Sequence, residues 1–178
     1  ALKKMAQMAE TLTETARRES ERDRDYRDGH QWTAEEQETL RRRKQPVVVN
    51  NLVANKVDAM IGIEQRMRTD PKAYPRNPND DQAALSATKA LTFVEDNTRF
   101  DSLASHAFEN LIVEGYGGCE VIVEPKRGRL EVCINRLRWE EIIFDPHSRE
   151  KDFSDASYLG TLKWMSLDKA IADLSGAW

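Results

Sequence analysis

The sequence predicts an α+β fold in which helices come first and a small antiparallel sheet follows. Three observations predict it. Apolar residues recur every three or four positions through the first two thirds of the chain, as on helix faces. Residues 119–135 alternate with the two-residue period of a hairpin. The glycine-rich stretch Gly115-Tyr116-Gly117-Gly118 separates the two regimes.

Leu2, Met5, Ala9, Leu12 and Ala16 form the stripe of a first amphipathic helix. It runs into the mixed charges of residues 17–25, which read as an exposed helix laced with i,i+4 ion pairs, each worth about 0.2–0.5 kcal/mol. Thr33 and Glu36 have the T-x-x-E spacing of a capping box that starts a second helix. Arg41, Arg42, Arg43 and Lys44 complement its negative end, and Pro46 stops it. Val47-Val48-Val49 is a short extended lead into a third helix, capped by Asn50 or Asn51. That helix has Val53, Val57, Met60 and Ile61 on one face and Gly62 near its end. Residues 65–79 hold Pro71, Pro75 and Pro78 and read as an edge strand or extended arm. Asp80 or Asp81 starts a fourth helix carrying Ala84, Ala87, Leu91 and Val94. Asp101 caps a fifth with Ala104, Phe108, Leu111 and Ile112 inward, stopped at Gly115.

The hairpin register follows from the pattern. Pairing Val123 with Val132 also pairs Val121 with Ile134, so one face is wholly apolar. Ile122 then meets Cys133 on the other face, and Glu124 meets Glu131 near the tip. A one-residue slip sets valines against glutamate and cysteine. Cys119 and Cys133 fall on opposite faces, so no disulfide joins them. Two cysteines in a chain of 178 residues point to free thiols in a reducing compartment. Residues 139–144 read as a third strand ended by Asp145-Pro146. Residues 157–165 read as a fourth, with Tyr158, Leu159, Leu162 and Trp164 for packing. Ser166 caps a last helix bearing Leu167, Ala170, Ile171 and Leu174. The expected division is residues 1–45 as charged N-terminal helices and 46–178 as the α+β domain. The chain opens at Ala1 and closes at Trp178 as though cut from something longer.

Composition narrows the function. The 27 basic and 31 acidic residues give net −4. A segment that grips DNA phosphates shows a basic excess, so tight DNA binding is not expected. The longest apolar runs are a few residues, too short for a membrane helix. No Walker motif occurs, and the glycine-rich stretch precedes a strand, whereas a phosphate cradle precedes a helix. Asp145, His147, Asp152 and Asp155 make the one His/Asp cluster. It lacks EF-hand spacing and the ligands of a zinc site, and reads as a solvated turn. Glu124-Pro125-Lys126 fits the letters of a nuclease Glu-x-Lys, but with proline at a hairpin tip and no convergent second carboxylate. No serine or cysteine has a partner base. The reading is of no catalytic, metal or cofactor site. Arg41, Arg42, Arg43, Lys44, Lys126, Arg127 and Arg129 are candidate DNA or partner contacts. Their plain alternatives are charge complement at a helix end and a soluble hairpin tip.

The order of landmarks carries a resemblance. It runs Gly29-x-Gln31-Trp32, then Arg43-x-x-Pro46 leading to Asn50, then Gly62 and a proline-containing arm. Ala107-Phe108-x-x-Leu111-x-x-x-Gly115-x-Gly117 follows, then Phe144-Asp145-Pro146, then Asp152-x-x-Asp155-Ala156 before an aromatic strand ending at Trp164. From about Arg17 to Leu174 the chain resembles the portal proteins of short-tailed, P22-like bacteriophages. That resemblance implies a non-enzymatic subunit of a dodecameric ring at one capsid vertex, in the virion and, during assembly, the host cytoplasm. It implies that double-stranded DNA passes through the ring, with terminase, coat or scaffold proteins and tail adaptors as partners. It also implies that this segment is the peripheral wing, with stem and clip elsewhere. Residues 65–79 or the first helix are expected to pack on a neighbouring subunit. A metal-dependent phage nuclease and another capsid or tail adaptor module are the alternatives.

Overall fold

The computed structural model describes residues 2–126, 128–150 and 152–175. The order of elements is α1 (Leu2–Asp28), α2 (Ala34–Arg42), α3 (Leu52–Met67), α4 (Asp81–Thr98), α5 (Phe100–Glu114), β1 (Gly118–Lys126), β2 (Arg129–Leu137), a 3-10 turn (Trp139–Glu141), β3 (Ile142–Phe144), β4 (Leu159–Thr161) and α6 (Leu167–Ser175). Helices precede two antiparallel two-stranded sheets, β1-β2 and β3-β4, so the α+β prediction holds. The chain divides into two compact units, residues 16–139 and residues 1–15 with 140–178.

In the larger unit α5 is the hub, packing against α3, α4 and both strands of the hairpin. Val57 of α3, Val113 of α5 and Cys133 of β2 are its buried apolar side chains, beside buried Ser20, Asn110 and Glu114. The hairpin has the expected register: Val121 opposite Ile134, Ile122 opposite Cys133, Val123 opposite Val132, Glu124 opposite Glu131. It is longer than expected at both ends, and Gly128, at φ +78°, makes the turn. The covered face differs from the one that the valines suggest. Cys133 is buried while Val121, Val123, Leu130 and Val132 are exposed, Leu130 by 77%. Cys119 and Cys133 are free thiols.

The helix ends show which local signals act. Thr33 and Glu36 form the capping box, with Thr33 Oγ1 accepting from the Glu36 amide and Glu36 accepting from the Thr33 amide. Asn51 caps α3 by accepting from the Ala54 amide. Gly62 does not end α3, which runs on to Met67; one glycine costs a helix only about 1 kcal/mol. No strand forms in residues 68–80, where the chain lies along its own α4 through the Ala73 amide and Thr88 Oγ1, 3.0 Å. Asp101 is not the cap of α5. Arg99, in the left-handed region at φ +54°, breaks α4 from α5, and Asp101 lies in the first turn pairing with Arg68 at 3.2 Å. Leu111, expected inward, is half exposed; Asn110, Val113 and Glu114 are buried instead.

Gly115 ends α5 at φ +79°. Gly117 then crosses the helix so closely that a Cβ there would lie 2.1 Å from the Ala107 carbonyl oxygen and 3.0 Å from Leu111 Cβ. This close approach ties Gly117 to Ala107 and Leu111, while Gly115 acts separately as the left-handed end of the helix.

In the smaller unit Ala9, Thr13 and Ile143 are buried. The expected strand over 139–144 is a 3-10 turn followed by three strand residues, and its partner is limited to Leu159–Thr161. Leu159 and Trp164 do not pack; Trp164 is 92% exposed. The Ala170 amide bonds to the Ser166 carbonyl, so α6 starts where expected.

Candidate functional site

Residues 17–28 of α1 do not simply face water. Ser20, Arg24 and Arg27 follow one another at three- and four-residue spacing and face α5. Ser20 Oγ donates to the Glu114 carbonyl oxygen, 2.8 Å. Arg24 donates to the Glu114 carboxylate, to Glu109 Oε1 at 3.1 Å and to Asn110 Oδ1 at 3.2 Å. Arg27 pairs with Asp58 of α3 at 2.6 Å. These ion pairs therefore tie α1 to α5 and α3, and the picture of a helix paired only along itself is corrected for them. The Glu114 side chain is 1% exposed and that of Arg24 27%. Burial opposes the charge on Arg24, but the hydrogen bonds and charges of Glu114 and Glu109 outweigh it and raise its pKa. Sequence reasoning missed this cluster because it assigned dense charge to solvent.

A second cluster joins α3 to α5. Arg68 makes paired bonds to Glu64 at 2.6 and 2.7 Å, donates to Ser105 Oγ at 2.6 Å, and meets Asp101. Glu64 is held below the usual carboxylate range, chiefly by the Arg68 hydrogen bonds. Beside it Met60, Ile63, Met67 and Phe108 line an apolar groove of about 450 Å³. Glu64 and Arg68 also line the adjoining cleft of about 650 Å³, which carries Asp70, Glu95, Asp96 and Asp101. The Glu95 pKa is raised, by burial first and then by the charges of Asp101, Asp70 and Asp96.

The candidate basic residues fall in two places. Arg41 and Arg42 end α2, Arg43 caps it and Lys44 follows in a turn at φ +57°; all four are exposed. Trp32 Nε1 donates to the Val48 carbonyl oxygen at 3.0 Å, and Asn51 Nδ2 to that of Arg27 at 2.9 Å. Two of the sequence landmarks are thus one contact, which fixes the extended segment after α2. Lys126 and Arg129 face each other across the hairpin tip, and Arg127 lies outside the described residues. The Lys126 ammonium reaches Cys133 Sγ at 2.9 Å, the main cause of its raised pKa. Glu124 lies exposed across from Glu131 at this tip.

The aspartates of the 145–157 loop organise backbone. Asp145 Oδ1 accepts from the His147 amide at 3.0 Å and Oδ2 from the Ser157 amide at 3.1 Å. Asp155 accepts from the Arg149 amide at 2.8 Å, the Glu150 amide and the Ser148 hydroxyl. Asp152 accepts from the Ser154 amide at 3.1 Å. Each carboxyl is held below its ordinary pKa: Asp145 first by the His147 amide, Asp152 by Ser154, and Asp155 by the Ser148 hydroxyl. They are turn-formers, as their sequence context suggests. Among the described residues no group of three or more His, Cys, Asp or Glu is arranged to hold a metal ion, and no helix is long and apolar enough to cross a membrane.

What the geometry offers is therefore cross-helix ion pairs, close backbone packing and exposed apolar faces. No curated protein matches the chain. The family model for the phage P22-like portal protein matches residues 3–178. That match covers nearly the whole chain, and it agrees with the landmarks of the sequence: the chain belongs to the P22-like phage portal protein family, whose members are structural proteins that form an oligomeric ring.

Proposed function

We propose that this chain is the wing part of a portal ring subunit in the virion, around a channel through which double-stranded DNA is packaged and ejected. The carrying observation is the family match over residues 3–178, joined to a thin core. No large side chain among the described residues is fully buried, while Met60, Ile63, Met67, Val121, Val123 and Leu130 are all exposed. Apolar faces of this extent on a soluble subunit mark contact surfaces. The helices-then-hairpin order suits the peripheral wing, and the net charge of −4 suits a part that does not grip DNA phosphates. Terminase, coat or scaffold proteins and tail adaptors are the partners that a portal at one vertex meets. Arg41, Arg42, Arg43, Lys44, Lys126, Arg127 and Arg129 are its candidate partner or DNA contacts.

Electron microscopy of the full-length protein that carries this chain tests the reading. Closed rings, dodecameric on this proposal, with residues 2–175 placed in the outer density, are expected. Rings whose outer density fits another part of the protein, with this chain at the channel axis, would refute the wing assignment; a monomer at assembly concentrations would refute the ring.

A further inference from the structure

We propose that the segment from Arg41 to Val49 of one copy docks along the C-terminal half of α3 in the next copy, arginines in the acidic cleft and valines in the apolar groove. The inference rests on the ring reading and goes beyond it by naming both faces of one contact.

The acceptor has two joined parts. Its apolar part is the groove of Met60, Ile63, Met67 and Phe108. Its acidic part holds Glu64, Asp70, Glu95, Asp96 and Asp101 against two guanidiniums, Arg68 and Arg99. Arg68 is already engaged by Glu64 and Asp101, so the cleft keeps an excess of negative charge. Burial first, and then the charges of Asp101, Asp70 and Asp96, raise the Glu95 pKa in this cleft.

The donor has the same two characters in sequence order. Four consecutive cations, Arg41 to Lys44, precede Val47, Val48 and Val49, which are exposed by 39, 66 and 37%. The Trp32–Val48 bond and the Asn51 anchor hold the segment in place before any partner arrives, which lowers the entropy lost on docking. Its length also fits. Three extended residues cover about 10 Å, and the seven-residue step from Met60 to Met67 covers about 10 Å of helix.

The occupant is a second copy because of where the two surfaces lie. The donor is tied to the N-terminal end of α3, at Asn51, while the acceptor lines its C-terminal half out to Met67. Those ends are about 22 Å apart along one helix. Two different complementary surfaces on one subunit make a head-to-tail contact, the kind that closes rings.

The test uses the full-length protein and sedimentation velocity. Reversing the donor (Arg41→Glu with Arg42→Glu) or the acceptor (Asp70→Arg with Asp96→Arg) is expected to lower the ring fraction about tenfold, and combining the two to restore it. Circular dichroism verifies that each variant folds. A Val48→Cys, Ile63→Cys chain is expected to form oxidation-dependent links between copies within the ring. Wild-type rings that tolerate both reversals and form no such link overturn the proposal while the ring reading stands. A wild-type protein that forms no ring overturns both.

Discussion

The Arg24–Glu114 pair offers the sharpest test of how this fold is held together. Glu114 is 1% exposed, so replacing Arg24 by methionine leaves a buried carboxylate without its main partner. Breaking a buried pair from one side costs about 3–5 kcal/mol. Arg24 itself is 27% exposed and water can enter its place, which favours the lower end, about 3 kcal/mol. For a chain of this length that is a fall in melting temperature of about 6–12 °C. Glu114→Gln costs less, about 1–2 kcal/mol, because Arg24 keeps Glu109 at 3.1 Å and the amide oxygen still accepts. Arg24→Met with Glu114→Leu removes both charges, so its loss is smaller than the sum of the single changes. The sign of the pH effect is specific. In Arg24→Met, loss of the guanidinium leaves burial to raise the folded pKa of Glu114 above the unfolded value of about 4.3. Its penalty is full at high pH and shrinks as pH falls through the raised value. Urea titrations of the four proteins between pH 8 and pH 4 measure both effects. An Arg24→Met loss below about 1 kcal/mol, with no relief on acidification, would refute the reasoning and return the pair to the class of exposed salt bridges.

Three further outcomes are expected. Gly117→Ala drives a Cβ to 2.1 Å from a backbone oxygen that cannot swing away, costing about 1–3 kcal/mol, whereas Gly62→Ala meets nothing within 4 Å and gains about 0.5–1 kcal/mol; thermal melts that reverse this order would contradict the close crossing. Ellman titration finds two thiols, with Cys133 reacting only on unfolding and Cys119, whose pKa is pushed up by burial, reacting more slowly than a free thiol at pH 8; finding none in the unreduced protein would contradict the split of the cysteines between faces. Asp145 and Asp155 have lowered folded pKa values, so the loop stability that they contribute is full above about pH 4 and is lost as pH falls through the lowered values. Amide shifts of His147, Arg149 and Ser157 followed by NMR report those midpoints, and a midpoint at the ordinary aspartate value would count against the bonded turn.

How much of this was legible in the sequence depended on the range of the interaction. The capping box at Thr33 and Glu36, the stop at Gly115 and the turn-forming aspartates are decided within a few residues, and all are found. The hairpin register was legible for the same reason, since alternation alone sets it. Which face is covered was not, because that depends on where α5 lies against the strands. The break at Arg99 had no glycine or proline to announce it. Residues 139–144 read as strand from Ile142, Ile143 and Phe144, but Trp139-Glu140-Glu141 forms a 3-10 turn first. The Arg24 cluster was hidden by its composition: a charged run has the same letters whether it faces water or three carboxylates on neighbouring helices.

The failures about helix faces share one cause. Reading an apolar stripe as inward assumes that the only dry place for it is the chain's own core. Here Val57 is buried on α3 while Val53, Met60, Ile63 and Met67 are exposed, and the hairpin covers Cys133 while leaving Val121 and Val123 bare. The buried line of α1 runs through Ala9, Thr13 and Ser20, small enough for close packing, while Met8 and Leu12 remain outside. On the proposed ring reading these stripes serve two interiors, that of the subunit and that of the assembly. Apolar residues are then divided between them, and the period of the pattern is preserved while its phase no longer identifies the core. Subunit stability is then inseparable from assembly. The full-length protein should therefore melt at a temperature that rises with concentration below the point where rings saturate. A melting temperature independent of concentration across that range would mean that the exposed stripes contribute nothing on association.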